Sequence, residues 1–175
     1  MALFSLSLNA VLKHEGGYVD DPDDRGGATN HGITQATLAD WRGKTVTAAD
    51  VKELAATEAA AIYKARYWDK MNLDQIVSRE VAEAVMDFGV NAGIKTAGKA
   101  LQRAANWVNG PGAGKLVEDG AIGPITIRTV NTTGERMLLL KFFEVRVRYY
   151  NGISRSRPLN RKFLYAWMAR ALDHV

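Results

Sequence analysis

The chain has 175 residues, of which 47% are hydrophobic and 24% charged, a composition typical of a globular protein with one buried core. It contains no cysteine and only three histidines, which excludes disulfides, thiolate metal sites and a cysteine nucleophile, so carboxylates and hydroxyls must carry the chemistry. The first twelve residues lack a basic segment and a cleavage pattern, and no apolar run is long enough to cross a bilayer, so neither a signal peptide nor an anchor is expected.

The formal net charge of +4 is unevenly distributed along the chain. Residues 136–175 carry nine lysines and arginines against two acidic residues, a net of +7, whereas residues 1–25 have a net charge of −3. A strongly basic end favours a polyanionic partner, and nucleic acid is one candidate for it.

A short amphipathic helix is predicted at the N-terminus, ending at Glu15. Four apolar residues at helical spacing indicate it: Phe4, Leu8, Val11 and Leu12. Gly16 and Gly17 follow and are typical of a helix C-terminus. A carboxylate there faces the negative end of the helix dipole and lies beside an apolar face, and both effects should raise its pKa. Glu15 is therefore a candidate general acid.

Residues 20–34 are rich in Asp, Pro, Gly, Asn and Thr, which indicates turns around a small irregular hairpin. Thr34 is expected to cap the next helix, through Trp41. A solvated acidic turn is the alternative interpretation of the segment. A calcium loop counted from Asp21 is disfavoured, because Arg25 stands at a ligand position and Gly32 replaces the final glutamate. No metal or other cofactor is expected.

The order of these residues resembles glycoside hydrolase family 108, the N-acetylmuramidases of phage endolysins, which are similar to lysozymes. Two motifs carry the resemblance: Glu-Gly-Gly-Tyr at residues 15–18, and Asp-Pro-x-Asp-x-Gly-Gly-x-Thr-x-x-Gly-Ile-Thr at residues 21–34. The resemblance implies that Glu15 is the catalytic acid and that Tyr18 contacts substrate.

Asp24 is the preferred partner carboxylate, to stabilise the oxocarbenium-like state or activate water, and Thr29 is expected to position that water. Three further carboxylates remain alternatives to Asp24, namely Asp20, Asp21 and Asp23. The spacing in sequence does not distinguish a retaining from an inverting mechanism.

Thr47 and Asp50 form a capping-box pattern that predicts a short helix through Leu54, and Thr57 is expected to cap the following helix. An apolar stripe then predicts a central helix over residues 79–92.

The end of that central helix resembles the family's Asp-x-x-Val/Ile-Asn-x-Gly segment, in which polar groups approach the cleft. Asp87 and Asn91 lie four residues apart and share one helix face. Both are candidate substrate-binding residues. The alternative is that they form a hydrogen-bond network at the helix end.

The C-terminal half is predicted to be helical at residues 97–108, 124–131, 134–151 and 159–172. Leu-Gln-Arg at residues 101–103, followed by Asp-Gly-x-x-Gly-Pro-x-Thr at residues 119–126, resembles the small helical peptidoglycan-binding modules that are often joined to wall hydrolases. The glycines and proline of this motif also have a purely structural interpretation as turns.

Together these patterns predict a mainly α, lysozyme-like fold with a small β-hairpin lobe after the first helix and a helical C-terminal part. Residues 1–92 are expected to form the catalytic region and residues 93–175 a peptidoglycan-binding-like region, packed into one globule. The resemblance implies hydrolysis of the β-1,4 bond between N-acetylmuramic acid and N-acetylglucosamine. A lytic transglycosylase using the same Glu15, or a non-catalytic wall-binding protein, are the alternatives.

The expected partner is bacterial peptidoglycan rather than nucleic acid, and the protein is expected to be a monomer without stable membrane insertion. The resemblance implies that it is made in the host cytoplasm and reaches the cell wall after release by a holin-type route.

Overall fold

The computed structural model describes residues 4–15, 17–20, 27–112 and 114–174, and most of them are helical. The N-terminal elements are α1 (Phe4–Glu15), β1 (Thr29–Asn30), β2 (Ile33–Thr34), α2 (Gln35–Arg42), α3 (Ala48–Lys52) and α4 (Ala56–Tyr63). A π-helical turn (Lys64–Trp68) and two 3₁₀ turns (Asp69–Met71 and Leu73–Gln75) lead into α5 (Arg79–Ala92). The remaining elements are α6 (Ile94–Asn109), α7 (Pro124–Thr132), α8 (Glu135–Ser156), a 3₁₀ turn (Pro158–Phe163) and α9 (Leu164–Leu172). This confirms the predicted mainly α class with a hairpin after the first helix.

Helix α5 is the central element, because α1, α6 and α8 all pack against it. Its Phe88 is fully buried and meets the rings of Phe142, Tyr149 and Tyr150 edge-on, at centroid distances of 5.9, 5.5 and 5.7 Å. Buried residues before and after residue 92 belong to one contiguous core. The two regions therefore share their hydrophobic packing.

Local sequence signals set the starts of α2 and α3. The hydroxyl of Thr34 accepts from the backbone N–H of Thr37, and Thr47 forms the predicted reciprocal capping box with Asp50.

The expected cap at Thr57 is wrong, because the N-cap residue of α4 is Ala55, two residues earlier, and it makes no side-chain cap bond. Glu58 in the first turn of α4 instead forms a two-point ion pair with Arg42 at 2.7 and 2.9 Å. An acidic side chain in the first turn favours a helix start electrostatically, so a capping hydroxyl is not required there.

The C-terminal helices differ from their predicted bounds. Helix α8 continues to Ser156 rather than ending at Asn151, because Gly152 does not break it and the helix ends only on the approach to Pro158. The last segment begins as a 3₁₀ turn, and α9 proper starts at Leu164. Within the described ranges, no helix combines the length and the apolar character needed to span a bilayer.

The Leu-Gln-Arg and Asp-Gly motifs form one structural unit. Gln102 is buried, donates from Nε2 to Asp119 Oδ1 at 2.8 Å, and accepts from the N–H of Gly120 at 2.8 Å. Gly98 packs so closely on this turn that an added Cβ would lie 2.1 Å from the carbonyl oxygen of Gly120. Glycine is therefore required at positions 98 and 120 for steric reasons, because the backbone of α6 contacts the backbone of the turn.

Candidate active site

The hairpin after α1 is held by side chains, because strands of two residues are too short to be stable alone. Thr29 of β1 pairs with Thr34 of β2 in antiparallel register. The neighbouring Asn30 is buried, and its amide donates to the carbonyl oxygens of Val51 and Lys52, at 3.1 Å each. These bonds attach the hairpin to the end of α3.

The turn of the hairpin is attached to α4. His31 adopts a left-handed conformation with φ of 51°, and its carbonyl oxygen accepts from the hydroxyl of Tyr63 at 3.0 Å. Ala28 and Ile33 point into the core on either side of the turn and are almost fully buried. The hairpin is therefore a rigid part of the fold.

The chain segment that follows α1 pairs with this hairpin. Val19 and Thr29 exchange two backbone hydrogen bonds, each 2.8 Å long. Glu15 is the last residue of α1, as predicted, and lies four residues before Val19. Four extended residues span at most about 14 Å, which limits how far the end of α1 can lie from the strand residue paired with Val19. The backbone of Glu15 and the hairpin thus belong to the same part of the fold.

Tyr18 lies on the surface of this segment, where its hydroxyl donates to Asp20 Oδ2 at 3.1 Å. The Nζ atom of Lys52 lies 5.8 Å from the centre of the Tyr18 ring. Desolvation, the hydrogen bond to Asp20 and the charge of that carboxylate all raise the pKa of Tyr18, which keeps the phenol neutral. The exposed ring is open to ligand, and its contact with substrate stays a prediction.

Of the carboxylates considered as partners of Glu15, only Asp20 belongs to the residues that the structure describes. Asp24, Asp21 and Asp23 lie outside the described residues, as does the side chain of Glu15 itself. Asp20 is described and accepts the Tyr18 hydrogen bond. Across residues 4–15, 17–20, 27–112 and 114–174, no group of three or more His, Asp or Glu side chains could hold a metal ion.

Asp87 is completely buried rather than placed on a cleft wall. Its Oδ2 atom accepts from Arg146 Nη2 at 2.8 Å, and its Oδ1 atom accepts from Arg170 Nε at 2.7 Å. His174 Nε2 approaches the same carboxylate at 3.5 Å. Burial raises the pKa of the Asp87 carboxyl, but His174, Arg170 and Arg146 more than reverse this effect, and the pKa ends well below its usual range. This geometry favours the network interpretation of Asp87 over a substrate contact.

Asn91 extends the same network to the surface. The hydroxyl of Tyr150 donates to Asn91 Oδ1 at 3.0 Å, and Tyr150 stacks on Trp167 at a centroid distance of 5.2 Å. Tyr150 is fully buried, whereas Asn91 is exposed. The remaining amide group of Asn91 is thus accessible, and its contact with substrate stays a prediction.

Some residues that position the site were not predicted from sequence. Asn30 and Tyr63 hold the hairpin, and Arg146 and Arg170 hold Asp87. Only Arg146 has a readable signal, because it interrupts the apolar face of α8 four residues before Tyr150, and an arginine on a core-facing stripe needs a buried anion.

Residues 8–93 match the sequence profile of the family described as glycosyl hydrolase 108, and residues 96–172 match the profile described as a predicted peptidoglycan domain. Among solved structures, SagA of Brucella abortus is 33% identical over 98% of this chain and 94% of its own, with a TM-score of 0.73. The chain belongs to glycosyl hydrolase family 108. No curated protein matches it.

Family 108 membership confirms the resemblance and the lysozyme-like, mainly α fold. The hairpin, its attachments to α3 and α4, and the end of α1 all lie in the segment matched to glycosyl hydrolase 108. Helices α6 to α9 make up most of the segment matched to the peptidoglycan domain. This family 108 protein is therefore a glycosidase that acts on peptidoglycan.

Proposed function

We propose that this protein is an N-acetylmuramidase, which hydrolyses the β-1,4 bond between N-acetylmuramic acid and N-acetylglucosamine with Glu15 as the general acid. The observation that supports it is the pairing of Val19 with Thr29, which connects the hairpin to a residue only four positions after the C-terminal end of α1. A carboxyl group at that helix end is opposed by the helix dipole, which favours the protonated form that an acid catalyst needs.

In the proposed reaction, Glu15 protonates the leaving glycosidic oxygen while positive charge develops on the sugar ring. Asp24 stabilises this charge or activates the attacking water, and the Thr29 hydroxyl positions the water. Thr29 suits a positioning role, because backbone bonds to Val19 on one side and to Thr34 on the other restrict its movement. Tyr18 and Asn91 would contact the saccharide from their exposed positions.

The fragments that the protein releases from purified peptidoglycan test this proposal. A lytic transglycosylase would use the same Glu15 without a hydrolytic water and would therefore release different fragments. We expect mass spectrometry to find fragments that end in reducing N-acetylmuramic acid. Fragments with anhydro-muramic ends would instead indicate a transglycosylase, and reducing N-acetylglucosamine ends would show that another bond is cut. A catalytically silent preparation would support the wall-binding alternative.

We also propose that the protein works as a monomeric endolysin, made in the host cytoplasm and released to the wall by a separate holin-type protein. The basic residues from 136 onwards would then attract the protein to the anionic wall rather than to nucleic acid. The test is deletion of the membrane-permeabilising partner. We expect the enzyme then to stay in the cytoplasm and release to stop.

A further inference from the structure

A groove of about 480 Å³ lies between α6 and α8 and carries a cationic rim. Lys95, Lys99 and Arg103 of α6 form one side of the rim, and Arg148 of α8 contributes from the other side. The three α6 positions are spaced four residues apart, so they share one helix face and rise by about 6 Å per step. The cations thus form a row about 12 Å long.

The floor of this groove is apolar. Phe88, Ala100, Val145 and Tyr149 line it. The Tyr149 ring is held edge-on against the buried Phe88 at 5.5 Å, so one of its faces belongs to a fixed surface rather than to a mobile side chain. A ligand for this groove needs negative charge along its edge and small apolar groups facing inward.

Two of the four cations are available to a ligand. Arg103 pairs with Glu118 at 2.8 Å, and Arg148 pairs with Glu144 at 2.6 Å. Lys95 and Lys99 form no ion pair within the described parts of the chain, and both are exposed.

Asp119, whose carboxylate feels the charge of Lys95, is already hydrogen-bonded to Gln102. The pKa of Asp119 is lowered mainly by its hydrogen bond from Gln102, with a smaller contribution from Lys95. Lys95 therefore acts on Asp119 at a distance, without being neutralised by contact. The groove keeps an excess of positive charge.

We propose that this groove binds the short peptide of peptidoglycan, in an extended conformation, with its free carboxylates on Lys95 and Lys99. The inference rests on the proposed action on peptidoglycan and assigns the site that holds the uncut wall. An extended peptide of four residues spans about 13 to 14 Å, close to the length of the cationic row. Small side chains such as alanine match the apolar floor, and carboxylates match the rim.

Other wall components fit less well. Where the lactyl carboxyl of N-acetylmuramic acid is amide-linked to the peptide, the glycan strand itself offers no free carboxylate to match two unpaired lysines. A phosphate polymer offers charge but no apolar groups for Tyr149 and Ala100. Each of these serves as a separate arm of the test.

The test measures retention on insoluble peptidoglycan freed of phosphate polymers, in a Glu15→Gln background that is expected to leave the wall undigested. We expect the Lys95→Gln/Lys99→Gln variant to need about tenfold more wall for half-maximal retention. The matched control is Lys115→Gln/Arg128→Gln, which removes the same charge from exposed positions of the same region, and it should be retained as the parent is. Equal retention of the groove variant and its control would overturn the proposal.

Two further arms separate the possible ligands. On chitin, an uncharged β-1,4-linked polymer of N-acetylglucosamine, the groove variant and the control should bind alike, and a selective loss there would overturn the peptide assignment. A loss seen only on walls that retain phosphate polymers would overturn it as well. If both variants melt at the parent temperature, a loss of retention reflects the groove and not unfolding. The single charge reversal Lys99→Glu repeats the test with one exposed substitution. Cleavage of the wall in the Glu15→Gln background would contradict the proposed catalytic role. The groove would then be tested by retention of the groove variant relative to its matched control, because both digest the same wall.

Discussion

Arg146 of α8 and Asp87 of α5 form a completely buried ion pair, with 2.8 Å between Nη2 and Oδ2. The two residues are 59 positions apart in sequence, and Arg170, which is 83 positions from Asp87, binds the other carboxylate oxygen. One carboxylate thus connects the central helix to both C-terminal helices. The coupling between the two matched segments depends on this carboxylate as well as on apolar packing.

We expect Asp87→Asn to lower the free energy of unfolding by about 3–5 kcal/mol, because it leaves buried guanidinium charge without an anion. Urea unfolding measures the change. Asp69→Asn is the matched control, since Asp69 pairs with Lys64 at 2.6 Å with about half of each side chain exposed. Loss of such a surface pair costs about 0–1 kcal/mol. An Asp87 variant as stable as this control would contradict the role of the network.

The same carboxylate predicts a pH dependence of stability. Because the pKa of Asp87 is lower in the folded protein than in the unfolded chain, its contribution is fully present above the unfolded pKa of about 3.9 and is lost as the pH falls towards the folded pKa. The stability difference between wild type and Asp87→Asn should therefore shrink below about pH 4. Urea unfolding at a series of acidic pH values checks this, and a difference that stays constant would contradict it.

Gly98→Ala should destabilise the fold by about 1–3 kcal/mol or more, because the new Cβ would meet backbone that cannot rotate away. Gly152→Ala in α8 is the control. Nothing lies within 4 Å of the Cβ position there, so the alanine should stabilise the helix by about 0.5–1 kcal/mol. Thermal unfolding of the two variants should shift in opposite directions, and a shift of the same sign would show that the close approach of α6 is misjudged.

Glu15→Gln should keep the shape of the side chain but remove the transferable proton. Cleavage of peptidoglycan should then fall by about 10²–10⁴-fold, while wall retention and melting temperature stay near those of the wild type. The wild-type rate should decline on the alkaline side as Glu15 loses its proton. Turbidity clearing across pH measures both effects. A variant that clears a suspension at nearly the wild-type rate would rule out Glu15 as the acid.

Thr29→Ala should retain the fold, because Thr29 holds its neighbours through backbone atoms, but it should lower kcat if the hydroxyl positions water. Thr29→Ser restores the hydroxyl and should restore most of the rate. Initial rates and melting curves for both variants separate a catalytic effect from a structural one. Equal rates for the alanine variant and the wild type would show that the Thr29 hydroxyl has no role in catalysis.

The sequence by itself determined the features that depend on neighbours within a few residues. It predicted the bounds of α5 at residues 79–92, the cap at Thr34, the capping box at Thr47, the hairpin and the helix end at Glu15. These features follow from hydrogen bonds and steric preferences inside one turn or one helix, so the residues that decide them are adjacent in the chain. The family motif lies in the same short segment and was recognisable for that reason.

Only the tertiary structure decided how those local pieces are used. Asp87 faces the core because Arg146 and Arg170 bind it there, and the start of α4 carries an ion pair between Glu58 and Arg42, which is 16 residues away. The cationic groove likewise exists only because α6 packs beside α8. Burial sets the energetic value of a charge, and burial is created by segments distant in sequence, so no local pattern could supply these answers.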